Sequence, residues 1–428
     1  MYQLILGFRS LFYRKKQYIS LFLICFFGTG ISLFSLFISK GMIASLNEKA
    51  EVYYGGDFCF MSCNWDERYL GDYEKILETA KALLPENVSI SIRYDFDAQN
   101  KVSFYYEGEE VLQRVIKGVT FDSEKALFDK FNFLCGSADI KKGSNGVLIS
   151  EPIAKKLGAG LGDEITLYLR NINGYINTVP LVIKGIFQDS SVFGLYTTYM
   201  DFDFLRTAYG RDSSFSNRLC VDFPGRSGIS KEELEKIQSA FETAFKMHPL
   251  VDNKLDFYFD PNNTPDTYGI IPLSANLNDV NILKNAMNVV ISLIIVFLVL
   301  IIVVGIGSTY RVLVMKRINE IGIYMAIGMK KKAIMGTLLI ESLFLLLTGC
   351  AAGFILAEIL CRVISGIKFT FIPMFSIFLT KGYLHPLFDA KGFFMLTGCV
   401  IFVTLLAVFY SVKKCVNIMP CNAIAANE

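Results

Sequence analysis

KRINEIGIYMAIGMKKKAIMGTLLIESLFLLLTGCAAGFILA, Lys316 to Ala357, is the stretch on which the fold of this chain turns. Its first third has Ile318, Ile321, Met325 and Met329 at three- or four-residue steps, which places them on one face of a short amphipathic helix. The basic cluster Lys330, Lys331 and Lys332 follows, and then an apolar run of roughly 25 residues, long enough to cross a bilayer. A surface helix joined directly to a spanning helix can pass force from a cytoplasmic partner into the membrane.

Three more spans are expected outward from this point. Tyr18 to Ile38 carries no charge, is too long for a signal-peptide core and lacks an A-x-A cleavage site, so it reads as a retained first span. Before it, Met1 to Gln17 interleaves Arg9, Arg14, Lys15 and Lys16 with Leu4, Ile5, Leu6, Phe8, Leu11 and Phe12, the pattern of an interfacial helix. Val289 to Val304 with its flanks makes the second span, Ala333 to Ala357 the third, and Phe393 to Val412 the fourth. Basic clusters precede span one, separate spans two and three, and follow span four. With four spans all fall on one side, which puts both termini in the cytoplasm.

Charge separates the rest. Ala44 to Asn285 holds 35 Asp and Glu against 25 Lys and Arg, whereas the remainder holds 5 against 17. The whole chain is at +2 and 53% hydrophobic, with nothing to suggest nucleic acid. The acidic window shows short alternating strands, Val88 to Ile92 and Lys101 to Tyr105, and a helical segment, Lys231 to Phe245. After Gly146 come a strand (GVLIS), a short helix (EPIAKKLG, Pro152 in its first turn) and two more strands (GDEITLYL, TVPLVIKGIF). Asp260 to Asn285 reads as a return linker. The expected fold is an α-helical membrane protein with four transmembrane helices and a large α+β extracytoplasmic domain between helices one and two. The domains are 1–43 (interfacial helix and first span), 44–285 (extracytoplasmic) and 286–428 (three spans and the surface helix). Phe369, Phe371, Phe375, Phe378, Tyr383 and Phe388 crowd the loop between spans three and four, which is expected to rest on the bilayer interface or cover a membrane cavity.

Enzyme chemistry finds little footing. The chain has no GxxxxGK[ST], no HExxH and no GxSxG; Gly158, Gly160 and Gly162 lack dinucleotide spacing; His248 and His385 stand apart. No CxxC or Cys/His cluster suits zinc, and Cys59, Cys63, Cys135 and Cys220 are open to pairing or to burial as thiols. Neither a catalytic residue, a cofactor-binding residue nor a metal ligand is expected. Glu341 lies about two turns inside the third span, where a carboxylate costs roughly 2.5–3.5 kcal/mol. A packed, hydrogen-bonded carboxylate near the cytoplasmic end is favoured over a proton relay. Gly349 and Gly353 form a GxxxG continued by Ala357, suited either to packing within one bundle or to a subunit interface. Glu320 is either a solvated charge or part of a face turned to a partner.

Glu320-Ile321-Gly322, Ala326-Ile327-Gly328, Ile340-Glu341, Gly349 and Gly353 together resemble the C-terminal FtsX-type domain of ABC transporter permeases. The ending Asn417 to Ile424 resembles the family's P-x-x-A-L closure, with Ile424 in place of Leu, and GVLISEPIAKKLGAGLGDEITL is similar to the extracytoplasmic core of MacB-like permeases. The resemblance implies a non-catalytic permease without a fused ATPase, dimerised with a like or different permease and docked on two cytoplasmic ABC ATPase subunits that bind ATP and Mg. Arg317, Glu320, Ile321, Gly322, Tyr324, Met325, Ala326 and Gly328 would form the coupling helix, and Glu341, Gly349 and Gly353 would pack helices. The implied work is mechanotransmission to the outer face of the cytoplasmic (inner) membrane. Lipoprotein release is the leading expectation, beside MacB-like export of peptides or small molecules, and FtsX-like activation of a cell-wall hydrolase. Expected contacts are membrane lipids and a lipoprotein cargo or periplasmic partner.

Overall fold

A computed structural model describes residues 15–64, 66–99, 101–189, 191, 193–195, 197–223, 225, 228–369 and 375–416. The N-terminal interfacial segment through residue 14, Phe371 and the closing motif at 417–424 lie outside the described residues. The chain divides into two compact units, one comprising Met1–Met42, Asn285–Ile367 and His385–Glu428, the other Ile43–Lys284 and Lys368–Leu384.

The apolar runs make long helices. These are α1 (Lys15–Tyr54), α2 (Asn278–Met315), α4 (Lys331–Ser365) and α5 (Ala390–Val416), with the short α3 (Ile318–Ala326) between α2 and α4. Four of them are long and apolar enough to cross a membrane. At 40 residues, α1 is about 60 Å long, twice the roughly 30 Å of a hydrocarbon core. The first unit's core is drawn from these helices, with Leu21, Cys25, Ile302, Ile306, Leu346, Ala357 and Val408 buried in one cluster. Gly349 and Gly353 give α4 its close approach to α1. A Cβ on Gly349 would sit 2.7 Å from Cys25 Sγ, and one on Gly353 would collide with Thr29 Oγ1. In this chain the GxxxG therefore packs two of its own helices.

The second unit is built on a 12-stranded sheet. Its strands are β1 (Phe58–Ser62), β2 (Ser89–Asp97), β3 (Val102–Tyr106), β4 (Glu109–Leu112), β5 (Val115–Val119), β6 (Phe133–Gly136), β7 (Gly146–Ser150), β8 (Glu164–Arg170), β9 (Ile176–Phe187), β10 (Thr197–Asp201), β11 (Arg218–Asp222) and β12 (Tyr268–Pro272). The order is β12-β1-β11-β2-β5-β10-β7-β9-β8-β3-β4, with β6 on β9. The pairings β5–β10 and β7–β9 are parallel. Pro152 opens the helix Glu151–Leu157 as read from the sequence, and a capping box at Ser230 and Glu233 starts the helix Lys231–Phe241.

Two sequence expectations are corrected here. Residues 260–285 are not a plain linker: Tyr268–Pro272 pairs along β1 as an edge strand, and α2 begins at Asn278. Within 286–428, Lys368–Leu384 belongs by its contacts to the α+β unit. Ile377 is buried there with Leu46, Ala50, Phe193 and Leu277, and Thr380 Oγ1 hydrogen-bonds Glu48 at 3.0 Å and Ser45 at 2.9 Å. Lys368–Leu384, part of the loop expected to rest on the bilayer interface or cover a membrane cavity, is thus folded onto the α+β unit. Phe378 packs against the same cluster, and Phe369, Phe375 and Phe378 meet edge to face in succession.

Alternation along the strands separates an apolar face from a charged one. Ile92, Tyr94 and Phe96 on β2, Ile116 on β5, and Leu219 and Val221 on β11 enter the main core. The intervening residues are Arg93, Asp95, Lys117 and Arg218, all well buried. Arg93 Nη1 and Nη2 each donate at 3.0 Å to the carbonyls of Tyr53 and Val52, which the end of α1 leaves without helical partners. The guanidinium is paired in turn with Glu124, itself buried. Burial would raise the Asp95 carboxyl, but Arg218 and Lys117 hold it down at about 2. Cys59, Cys63, Cys135 and Cys220 are all thiols, with Cys59 opposite Cys220 across β1 and β11.

Candidate coupling site

Helix α2 ends at Met315, and two residues later Arg317 stands at the N-cap position of α3. Its side chain turns inward instead of toward water. Arg317 Nη1 donates to Glu341 Oε2 at 2.7 Å and to the Tyr18 hydroxyl at 3.0 Å, and Nη2 lies 3.4 Å from Glu341 Oε1. The Tyr18 hydroxyl donates to Glu341 Oε2 at 2.8 Å. Arg317 Nε donates to Glu320 Oε2 at 3.2 Å. The Glu341 side chain is 1% exposed and that of Arg317 7%. A carboxylate that would be costly alone in a span is neutralised by a guanidinium fork and a phenol. The result ties α1 through Tyr18, α4 through Glu341 and the start of α3 through Arg317.

The far end of α3 is closed by backbone geometry. Met329 N–H bonds to Tyr324 O at 2.9 Å and Gly328 N–H to Met325 O at 3.0 Å, the paired bonds of a Schellman motif. Gly328 occupies the left-handed region at φ +93°, where a Cβ is strained. Lys330 then caps α4 in extended conformation. The three-lysine cluster lies in the turn and first helical residues after α3.

The residues singled out from the sequence divide between two faces. Arg317, Ile321, Gly322 and Glu341 are buried, and Glu320 and Met325 are half-buried. Met325 and Met329 pack on the helical core, so the stripe recognised by periodicity is the face α3 turns to its own bundle. Tyr324, Ala326 and Gly328 are exposed. Beside them are two residues the sequence reading passed over, Ile323 at 52% and Ile327 at 78% exposure. Their spacing of four was a visible second apolar stripe, hidden by attention to the first. Tyr18 was noticed only as the start of a span; its role rests on contacts 299 and 323 residues away, which no local pattern reveals. A cleft of about 30 Å³ between α3 and α4 is lined by Glu320, Ile321, Tyr324, Ile334 and Thr337. It is too small for a cofactor. Among the described residues no group of three His, Cys, Asp or Glu side chains is placed to hold a metal ion.

Residues 292–420 match the family model of the FtsX-like permease C-terminal domain. No curated protein matches the chain. Among solved structures, the chain is similar to the crystal structure of the periplasmic region of MacB from Actinobacillus actinomycetemcomitans, at 12% identity and a TM-score of 0.32, covering 53% of this chain and 94% of that one.

Proposed function

We propose that this chain, a permease of the MacB/FtsX type by its FtsX-like domain at residues 292–420, receives force from a cytoplasmic ABC ATPase on α3 and delivers it to the α+β unit. The observation that carries the reading is the double-sided build of α3. One face is fastened to α1 and α4 through Arg317, Glu341 and Tyr18. The other presents Ile323, Tyr324 and Ile327 outward. An exposed apolar stripe beside a buried ion pair suits a lever: the partner grips the stripe, and the ion pair makes the helix move with its bundle. The length of α1, well beyond what a bilayer needs, suits transmission to an outer domain.

The orientation follows the positive-inside pattern, with both termini and α3 cytoplasmic. Two ATPase copies, a second permease subunit, and ATP with Mg on the ATPase complete the assembly on this reading. One ground for expecting lipoprotein release is the aromatic loop between spans three and four, read as resting on the bilayer interface or covering a membrane cavity. Much of that loop packs on the α+β unit instead, so the cargo is proposed only as a substrate handled at the outer face.

The test places a photocrosslinking residue at Ile327 in the full chain within its native membrane. Capture of a nucleotide-binding subunit, lost in Ile323→Asp, supports the reading. Crosslinks to lipid alone, while the same sample still hydrolyses ATP in response to cargo, would sink it.

A further inference from the structure

Within the α+β unit, residues of the stem part of α1, the start of β1, the segments 228–234 and 250–252, and the β12–α2 connection enclose a cavity of about 280 Å³. Its walls combine the apolar Ile229, Leu234, Leu250, Val251, Leu273 and Leu277 with polar and charged side chains. Four charged side chains stand in these walls: Lys231 and Asp252 are exposed, whereas Asp57 and Lys284, of opposite sign, are withdrawn from water. Asp57 is 3% exposed, and its carboxylate accepts one hydrogen bond, from Phe223 N–H at 2.9 Å. Lys284 is half-buried, and its ammonium donates to the neutral Asn47 Oδ1 at 3.3 Å. Neither is the other's counter-ion, nor is either in an ion pair among the described residues. Burial pushes the Asp57 carboxyl up to about 6, and the nearby Asp222 and Glu51 add to the effect. Lys130 opposes this shift without forming an ion pair with Asp57.

We propose that this cavity binds a small zwitterion with an apolar body, its ammonium on Asp57 and its carboxylate or phosphate on Lys284. The volume supports that size. It equals about nine waters at roughly 30 Å³ each and falls just under the roughly 300–1,000 Å³ of pockets for drug-sized ligands. An apolar amino acid or dipeptide has this chemistry, and so does the phosphoethanolamine headgroup of a lipid. Either source would place one ligand between β1 and the start of α2, so occupancy would stiffen that junction. The inference stands apart from the role of α3, since none of its residues lies there.

The experiment uses the full chain in detergent and in nanodiscs. Leucyl-leucine is titrated calorimetrically beside its N-acetyl and C-amide forms. Binding is expected for the free dipeptide and at least tenfold weaker when either end is blocked. Asp57→Asn and Lys284→Gln should each weaken it tenfold or more with the thermal midpoint of unfolding not lowered. Leu234→Trp, which fills the cavity, should abolish it. If the dipeptide is silent but phosphatidylethanolamine in phosphatidylglycerol nanodiscs raises the thermal midpoint, and both charge variants remove that rise, the lipid headgroup is the source. The proposal is overturned if no probe binds, if blocked and free dipeptides bind alike, or if Asp57→Asn leaves binding unchanged.

Discussion

Replacing Glu341 by Leu should destabilise the helical unit far more than replacing Glu341 and Arg317 together. The two side chains are 1% and 7% exposed, and their oxygens and nitrogens meet at 2.7 and 3.4 Å. Removing only the carboxylate leaves a buried guanidinium with the Tyr18 hydroxyl and the half-buried Glu320. Stranding one partner of a buried pair costs about 3–5 kcal/mol. The Tyr18 hydroxyl also loses its acceptor, worth about 1–3 kcal/mol if nothing replaces it. The double variant Arg317→Met with Glu341→Leu strands no charge, and a buried pair exchanged for apolar residues of similar volume is often near neutral. The double-mutant cycle should therefore return a coupling energy of about 3 kcal/mol. The assay is SDS titration in mixed micelles, read by labelling of Cys25 and Cys350, whose thiols are buried between α1 and α4 with sulfurs 3.9 Å apart. Additive single-variant costs, or a Glu341→Leu cost below about 1 kcal/mol, would refute the reasoning.

Gly328→Ala should cost about 1–2 kcal/mol, because the φ of +93° must be kept by a residue with a Cβ; hydrogen exchange at the C-terminal end of α3 would show the loss as faster exchange at Met329. Asp57 gives a pH signature. Its carboxyl is raised from 3.8 to about 6, so the folded state holds a proton the unfolded chain has released, and stability falls as pH rises from about 4 to about 6. Asp57→Asn removes that slope, and above pH 6 it should be more stable than the wild type by about 1–3 kcal/mol in equilibrium unfolding. Arg93→Met should cost about 3–5 kcal/mol by stranding buried Glu124, and adding Glu124→Leu should recover only part of it, because the Val52 and Tyr53 carbonyls stay uncapped; thermal unfolding of the three variants checks the order.

Local periodicity carried much of this architecture. Four apolar runs became four long helices, the E-I-G to A-I-G stretch became a separate short helix, and the strand, helix, strand, strand pattern after Gly146 appeared with boundaries shifted by a few residues. These depend on consecutive residues alternating between water and a nonpolar phase, and that is written along the chain. The sequence by itself also placed Glu341 as a carboxylate in need of a partner. Only the tertiary structure decided which partner: Arg317 lies 24 residues away and Tyr18 323 away, distances over which no periodic signal runs. Likewise Arg93-Tyr94-Asp95-Phe96 shows its alternation plainly, yet a reader of the sequence would send the charged side to water. It is covered instead by the end of α1, whose unpaired carbonyls supply what Arg93 lacks. Burial of a charge is a property of what closes over it, and that closure exists only once distant segments have met.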